Sequence, residues 1–109
     1  MSYNIYTTPT FKKEFKQLAK KYPSLKSDLE KLSSELLKKP TFGVNLGKNF
    51  YKTRMGITSK GKGKSGGARI ITHVKIIDSA IYLASIYDKS NKATISDNEI
   101  LLLIHEIDE

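Results

Sequence analysis

The apolar residues of this chain change period once, and the change falls near Pro40. Before it, Phe11, Phe15, Leu18 and Tyr22 recur at helical spacing, as do Leu25, Leu29, Leu32 and Leu36. Beyond it, the segments 50–58, 68–77 and 80–87 alternate. A period near 3.6 buries one stripe of a helix, whereas a period of two buries one face of a strand. The chain must therefore pack helices on a sheet. Thr8-Pro9 supplies an N-cap and a helix-compatible proline, Pro23 separates the two helices, and Pro40 ends the second. The helices are read as a hairpin with a shared apolar side. Residues 3–7 form a strand before them, and 42–49 read as a loop. Asp78-Ser79 is a tight-turn signal that makes the last two strands an antiparallel hairpin. Ser96-Asp97-Asn98-Glu99 has capping-box spacing. It opens a final helix with Ile100, Leu103, Ile104 and Ile107 on its apolar side. The predicted order is β-α-α-β-β-β-α: an α+β fold, an antiparallel sheet with the helical hairpin packed on one face. The length, 109 residues, fits a single domain over 1–109.

Charge is distributed unevenly. The formal net charge is +8, and between Leu36 and Ile77 there is no Asp or Glu. That stretch carries Lys38, Lys39, Lys48, Lys52, Arg54, Lys60, Lys62, Lys64, Arg69 and Lys75. The rest of the chain has nine basic and eleven acidic residues. A field of one sign over so long a segment favours a polyanionic partner over mere solubility. There is no Cys, hence no disulfide or thiolate metal site. Met1 to Tyr6 lacks the apolar core of a signal peptide, and no apolar run is long enough to span a membrane, so the expected location is the cytoplasm.

Ser59 to Gly67 reads Ser-Lys-Gly-Lys-Gly-Lys-Ser-Gly-Gly. It fails as a nucleotide-binding P-loop, because Thr58 stands where the first Gly belongs and a strand follows instead of a helix. It is expected to be a mobile, cationic hairpin tip that orders on RNA. Alternation then sorts the strands. Tyr51, Met55 and Ile57 oppose Lys52 and Arg54; Ala68, Ile70, Thr72, Val74 and Ile76 oppose Arg69, Ile71, His73 and Lys75. On the last strand, Tyr82, Ala84 and Ile86 oppose Ile81, Leu83, Ser85 and Tyr87. With the apolar faces on the helices, Lys52, Arg54, Arg69, His73 and Tyr87 share an open face with Lys89 at its rim. Lys48, Lys60, Lys62, Lys64, His73 and Lys75 are candidate RNA contacts.

Two His residues without Cys or an acidic cluster do not make a metal site, and His105 is expected at the surface near a helix C-terminus. An acid-free centre also disfavours a two-metal nuclease. RNA carries its own nucleophile, the 2′-OH. A protein has to orient it, accept its proton, stabilise the phosphorane and protonate the leaving 5′-oxygen. Arg and Lys can stabilise that charge, a Lys among other cations can act as base, and Tyr87 can stack on a base or assist proton transfer.

Phe11-Lys-Lys-Glu-Phe15, the helical hairpin, Phe50-Tyr-Lys-Thr-Arg54, Lys64-Ser-Gly-Gly-Ala-Arg69 and Ser85-Ile-Tyr-Asp-Lys89 carry a resemblance. Over nearly its whole length the chain resembles toxins of the RelE/ParE superfamily, in the RelE/HigB branch of type II toxin–antitoxin systems. The resemblance implies a ribosome-dependent mRNA endoribonuclease that needs no metal or small-molecule cofactor and leaves a 2′,3′-cyclic phosphate and a 5′-OH. By position, Lys52 and Arg54 match the family's paired basic residues, and Arg69 its phosphate-stabilising arginine. Lys89 falls where an arginine is common. The late catalytic tyrosine has no counterpart near Ile95, and Tyr87 is the nearest substitute. The implied partners are a cognate antitoxin, mRNA and the ribosome, including its 16S rRNA, with the final helix as a docking or displacement element. Two other functions compete: a ParE-like gyrase inhibitor, and a non-catalytic RNA-binding module.

Overall fold

The computed structural model describes residues 2–61 and 66–108. Its elements in chain order are β1 (Asn4–Thr7), α1 (Pro9–Lys21), α2 (Leu25–Lys38), β2 (Val44–Gly47), β3 (Phe50–Met55), β4 (Ala68–Lys75), β5 (Ala80–Asp88) and α3 (Asp97–Asp108). The fold is α+β, as the change of period requires. The strands form one sheet in the order β1-β5-β4-β3-β2.

Three expectations are corrected. First, the sheet is mixed: β1 pairs parallel with β5, and the remaining pairs are antiparallel. The α1–α2 hairpin carries the chain from β1 to β2 at the far edge, and the β2–β5 meander then returns to make that parallel pairing, a long crossover of the kind parallel neighbours need. Second, 42–49 is not all loop. β2 lies within it and is joined to β3 through Lys48 and Asn49, at φ 54° and 65°. Two successive left-handed residues are the geometry of a tight type I′ hairpin. At Gly43 (φ 110°) an added Cβ would lie 2.5 Å from Thr53 Oγ1 and 2.6 Å from Lys52 O, so only glycine brings the chain onto this edge. Third, the helical hairpin packs on one face as expected, but the opposite face, expected to be open, is partly covered by α3. α1 and α2 bury Phe11, Tyr22, Leu25, Leu32 and Leu36 against Met55, Ile70, Ile81, Leu83 and Ile86. α3 buries Ile100, Leu103 and Ile107 against Phe50, Ile71, Ala84 and Tyr87 on the opposite face.

That two-sided core depends on a bulge in β5. Ile71 pairs with Ser85 and Thr72 with Leu83, which leaves Ala84 without a partner on β4. The extra residue resets the alternation. Ile81, Leu83 and Ile86 all join the α1–α2 core, whereas Tyr82, Ala84 and Tyr87 join the α3 side. Uninterrupted alternation had put Ile86 with Tyr82 and Tyr87 with Leu83, and the bulge overturns both assignments.

Thr8 holds the bulge. It is the N-cap of α1: its Oγ1 accepts from Phe11 N at 3.0 Å and donates to Ala84 O at 2.8 Å. Its backbone N–H also donates to Leu83 O at 3.2 Å. β1 covers the edge of β5 only as far as Leu83. Beyond it, Glu14 of α1 accepts from Ile86 N at 3.1 Å and Ser85 Oγ at 2.8 Å, blunting the exposed edge. At the other end, α3 carries the expected capping box, with Ser96 N donating to Glu99 Oε1 at 3.0 Å and Glu99 N to Ser96 Oγ at 3.2 Å.

Thr8→Val preserves shape but removes both hydroxyl bonds. It is expected to cost about 2–3 kcal/mol by urea unfolding, from the lost cap and the stranded carbonyl together. Thr8→Ser should cost under about 1 kcal/mol. Equal losses in the two variants would show that the hydroxyl is not what matters.

Candidate nucleic-acid site

Strand register assembles the site. Arg54 of β3 lies opposite Arg69 of β4, and Arg69 opposite Tyr87 of β5. Directly paired residues share a face with Cα atoms about 4.5–5.5 Å apart, so the three form one row across three strands. Lys52 lies two residues before Arg54 on the same face, in the row of Ile71 and Ser85. Like charges directly opposite each other on a sheet are destabilising. The row also deepens: Arg54 is exposed and Lys52 half-buried, whereas Arg69 and Tyr87 are only 3% and 6% exposed.

Burial sets the chemistry of the inner pair. Desolvation and the neighbouring Arg54 push the Arg69 guanidinium below its ordinary pKa, with Tyr87 opposing them. The guanidinium donates to Ala68 O at 3.2 Å. Burial raises the Tyr87 phenol above its ordinary value despite Arg69, so it stays protonated at neutral pH. Among the described residues its hydroxyl has no hydrogen-bond partner. Lys92 Nζ sits 5.3 Å from the Tyr87 ring centroid. The row thus ends in a neutral donor beside a buried cation.

Other sequence-predicted residues lie elsewhere. Lys60 Nζ is engaged by Asp88 at 2.7 Å and Ser90 Oγ at 2.6 Å. Asp88 also accepts from Tyr22 Oη at 2.7 Å and Ser90 N at 2.9 Å. Burial works to raise the Asp88 pKa, but the bonds from Lys60, Tyr22 and Ser90 outweigh it and hold it far below the carboxylate range. The same bond to Asp88 raises the pKa of Lys60. The central stretch is therefore acid-free in sequence but not in space, since Asp28 likewise accepts from Thr58 N at 2.9 Å and Thr58 Oγ1 at 2.6 Å. Lys62 and Lys64 lie outside the described residues. Gly67, at the end of the Gly/Lys segment, is buried, and an added Cβ there would fall 2.3 Å from Met55 O. Its carbonyl accepts from Lys89 N at 3.1 Å, which ties Lys89, itself exposed, to the start of β4.

The face predicted to be open is not open along its whole length. His73 is half-buried with its ring 4.5 Å from Phe50, and Lys75 pairs with Asp108 of α3 at 3.2 Å. α3 covers this end, which separates His73 and Lys75 from the Arg54–Arg69–Tyr87 row. Lys48 is exposed in the β2–β3 turn, and His105 is exposed on α3.

Two shallow recesses flank the row. One of about 270 Å³ is lined by Phe42, Gly43, Val44, Lys52, Thr53 and Arg54. The other, about 280 Å³ at the β5 edge, is lined by Glu14, Gln17, Leu18, Ile86, Tyr87, Asp88, Asn91 and Lys92; its Asp88 is engaged by Lys60 and its Glu14 by Ser85 and Ile86. A larger recess of about 380 Å³ between α1 and α3 carries Glu14, Glu99 and Glu106, and so repels a polyanion. Gln17, Val44, Asn91 and Lys92 were not found from sequence; no motif marks them, and only the folded edges bring them to the row. Among the described residues, no three His, Asp or Glu side chains are grouped to hold a metal ion, and no helix is long and apolar enough to cross a membrane.

Residues 5–105 match the protein family described as the RelE toxin of the RelE/RelB toxin–antitoxin system. Among solved structures, the fold is similar to that of the E. coli toxin RelE, a double arginine-to-alanine mutant in the free state. The match covers 97% of this chain and 94% of that one, with a TM-score of 0.63 and 16% identity, and so is a likeness of fold. No curated protein matches the sequence.

Burial beside Phe50 and the nearby Lys75 lower the pKa of His73 from 6.5, with Asp108 opposing them. The unfolded chain therefore binds the proton first. This contribution to stability is complete above the unfolded pKa and is lost as pH falls through the folded one. The urea midpoint should fall between about pH 7.5 and about pH 5, and His73→Phe should flatten that fall. An unchanged fall in the variant would place the titration elsewhere.

Proposed function

Because the chain belongs to the RelE toxin family, a family of toxin–antitoxin systems, we propose that it is an endoribonuclease that cuts mRNA on the ribosome without a metal ion, and so arrests translation. The observation that supports this reading most is the Arg54–Arg69–Tyr87 row, a like-charged pair beside a buried phenol whose hydroxyl has no partner among the described residues. A phosphate between these groups would relieve the repulsion and engage that hydroxyl.

In the proposed reaction the substrate supplies the nucleophile. The 2′-oxygen passes its proton to water as it bonds to the adjacent phosphorus. The bond from phosphorus to the 5′-oxygen breaks, and that oxygen takes up a proton. The products are a 2′,3′-cyclic phosphate and a 5′-OH. Arg69 and Arg54 stabilise the negative charge that builds on the non-bridging oxygens, in a site where burial strengthens the interaction. Tyr87 stays protonated, which suits it to donate to phosphate or to the leaving oxygen instead of acting as base. Lys52 and Lys89 hold the flanking phosphates, and bases on either side of the cut rest in the two edge recesses. The family implies an antitoxin partner, which in this reading blocks the row. The place of action is the cytoplasm, where the ribosomes are.

The test is cleavage of a translated mRNA by purified protein and ribosomes with a chelator present. Cuts within codons bearing a 5′-OH are expected. Arg69→Ala should lower the rate about 10²–10³-fold, and Tyr87→Phe by about 10²-fold or more. Intact transcripts under full growth arrest would overturn the reading. A DNA-damage response alongside them would point to gyrase, and RNA binding with no cleavage by any form would leave only a binding module.

A further inference from the structure

Counting charge along the sequence hides a second cationic surface. Outside the central stretch the chain is nearly neutral, yet five of its remaining basic residues, Lys12, Lys13, Lys16, Lys20 and Lys21, lie in the thirteen residues of α1. At about 100° per residue, Lys12, Lys13, Lys16 and Lys20 occupy the side opposite Phe11, Phe15 and Leu18. All four are exposed. The only carboxylate of α1, Glu14, is turned to the sheet, where it accepts from Ser85 and Ile86. Among the described residues none of these four lysines is in an ion pair, whose members are Lys60–Asp88, Lys75–Asp108 and Lys92–Glu99.

A lysine-rich helix is often no more than a solvated face, but two observations set this one apart. Lys12, Lys16 and Lys20 stand four residues apart, a spacing at which like charges destabilise a helix. α2, beside it, mixes Lys26, Lys31 and Lys38 with Asp28, Glu30 and Glu35. The lysines of α1 run about 12 Å along the axis with no acid among them on that side. They also lie on the opposite side of the sheet from the Arg54–Arg69–Tyr87 row, because α1 packs with α2 whereas the row shares its face with α3.

We propose that the Lys12–Lys16–Lys20 face of α1, with Lys13, is a second phosphate-backbone site that grips an RNA element other than the strand being cut. This rests on the RNA reading of the function and names a further contact of the same protein. A long stem of ribosomal RNA or a distant part of the message would supply the same phosphates. The chain would then be held between two RNA segments, one on each side of the β5 edge.

The test compares two triple variants of equal charge: Lys12→Gln/Lys16→Gln/Lys20→Gln on α1, and Lys26→Gln/Lys38→Gln/Lys39→Gln at α2. Gln removes charge while keeping helix propensity. Binding to ribosomal small subunits, to a plain RNA duplex and to single-stranded mRNA is measured from about 50 to about 200 mM salt. Each lost duplex-phosphate contact removes about 0.9 from the slope of log affinity against log salt, so three contacts remove about 2.7. The salt-induced loss of affinity over that range should then be about 40-fold smaller for the α1 variant and nearly unchanged for the α2 variant. An effect on subunits and duplex but not on single strands identifies ribosomal RNA as the source; an effect on single strands identifies the message. Equal slopes in the two variants, or unmoved RNA binding in the α1 variant even if antitoxin binding weakens, would overturn the proposal. Cleavage is scored separately. A protein that binds through α1 but never cuts refutes the endonuclease and not the surface; one that cuts with an unchanged slope does the reverse.

Discussion

Thr8 touches three parts of the fold through one side chain and its own backbone. Its hydroxyl caps α1, the same hydroxyl donates to the carbonyl of the bulged Ala84, and its amide continues the β1–β5 pairing. The bulge has no ladder partner on β4, so its polar atoms must be satisfied from outside the sheet. With Thr8 in place, β5 serves two cores: Ile81, Leu83 and Ile86 face α1 and α2, and Tyr82, Ala84 and Tyr87 face α3. Were the same residues to alternate without the bulge, Tyr87 would fall on the face of Leu83, in the α1–α2 core and away from Arg69. The position of the phenol in the row thus depends on how the first helix begins, almost eighty residues earlier in the chain.

Electrostatics divides the basic residues into two kinds. Some are consumed by the fold: Lys60 by Asp88, Lys75 by Asp108 and Lys92 by Glu99. Around Lys60 the carboxylate also collects Tyr22 and Ser90, which draws the α1–α2 junction and the turn after β5 together. Such a buried pair is costly to break from one side, because the partner is left as an uncompensated charge. The other kind makes no ion pair among the described residues: Lys52 and Arg54 at the site, and the outer face of α1. It is this second kind that suits a polyanion, and it is not the group marked out by the acid-free segment alone.

Much of the architecture was legible in the sequence. The change of period gave helices on a sheet, Thr8-Pro9 gave the start of α1, and Ser96 to Glu99 gave the start of α3. What escaped has physical causes. β2 is a four-residue edge strand whose side chains are mostly exposed, so it carries no alternation to read. The bulge at Ala84 leaves no signature because alanine suits either face. Parallel pairing of β1 with β5 is a long-range choice that local pattern does not encode. Of the site, Lys52, Arg54 and Arg69 were found by alternation, which holds in β3 and β4 where the ladder is regular. Tyr87 was placed on their face although strict alternation in β5 gave the wrong neighbours for it. His73 and Lys75 were grouped with the row because nothing in their own segment reveals that α3 lies over them.

In the proposed function, RNA phosphate lies along the row running from Arg54 through Arg69 to Tyr87. The most direct measurement is NMR titration of the full chain with a short RNA made uncleavable by 2′-deoxy substitution at the scissile position. The largest shifts are expected at Lys52, Arg54, Arg69 and the Tyr87 ring, with His73 and Lys75 nearly still beneath α3. Saturable binding that leaves the row unmoved and shifts the exposed side of α3 would contradict this placement.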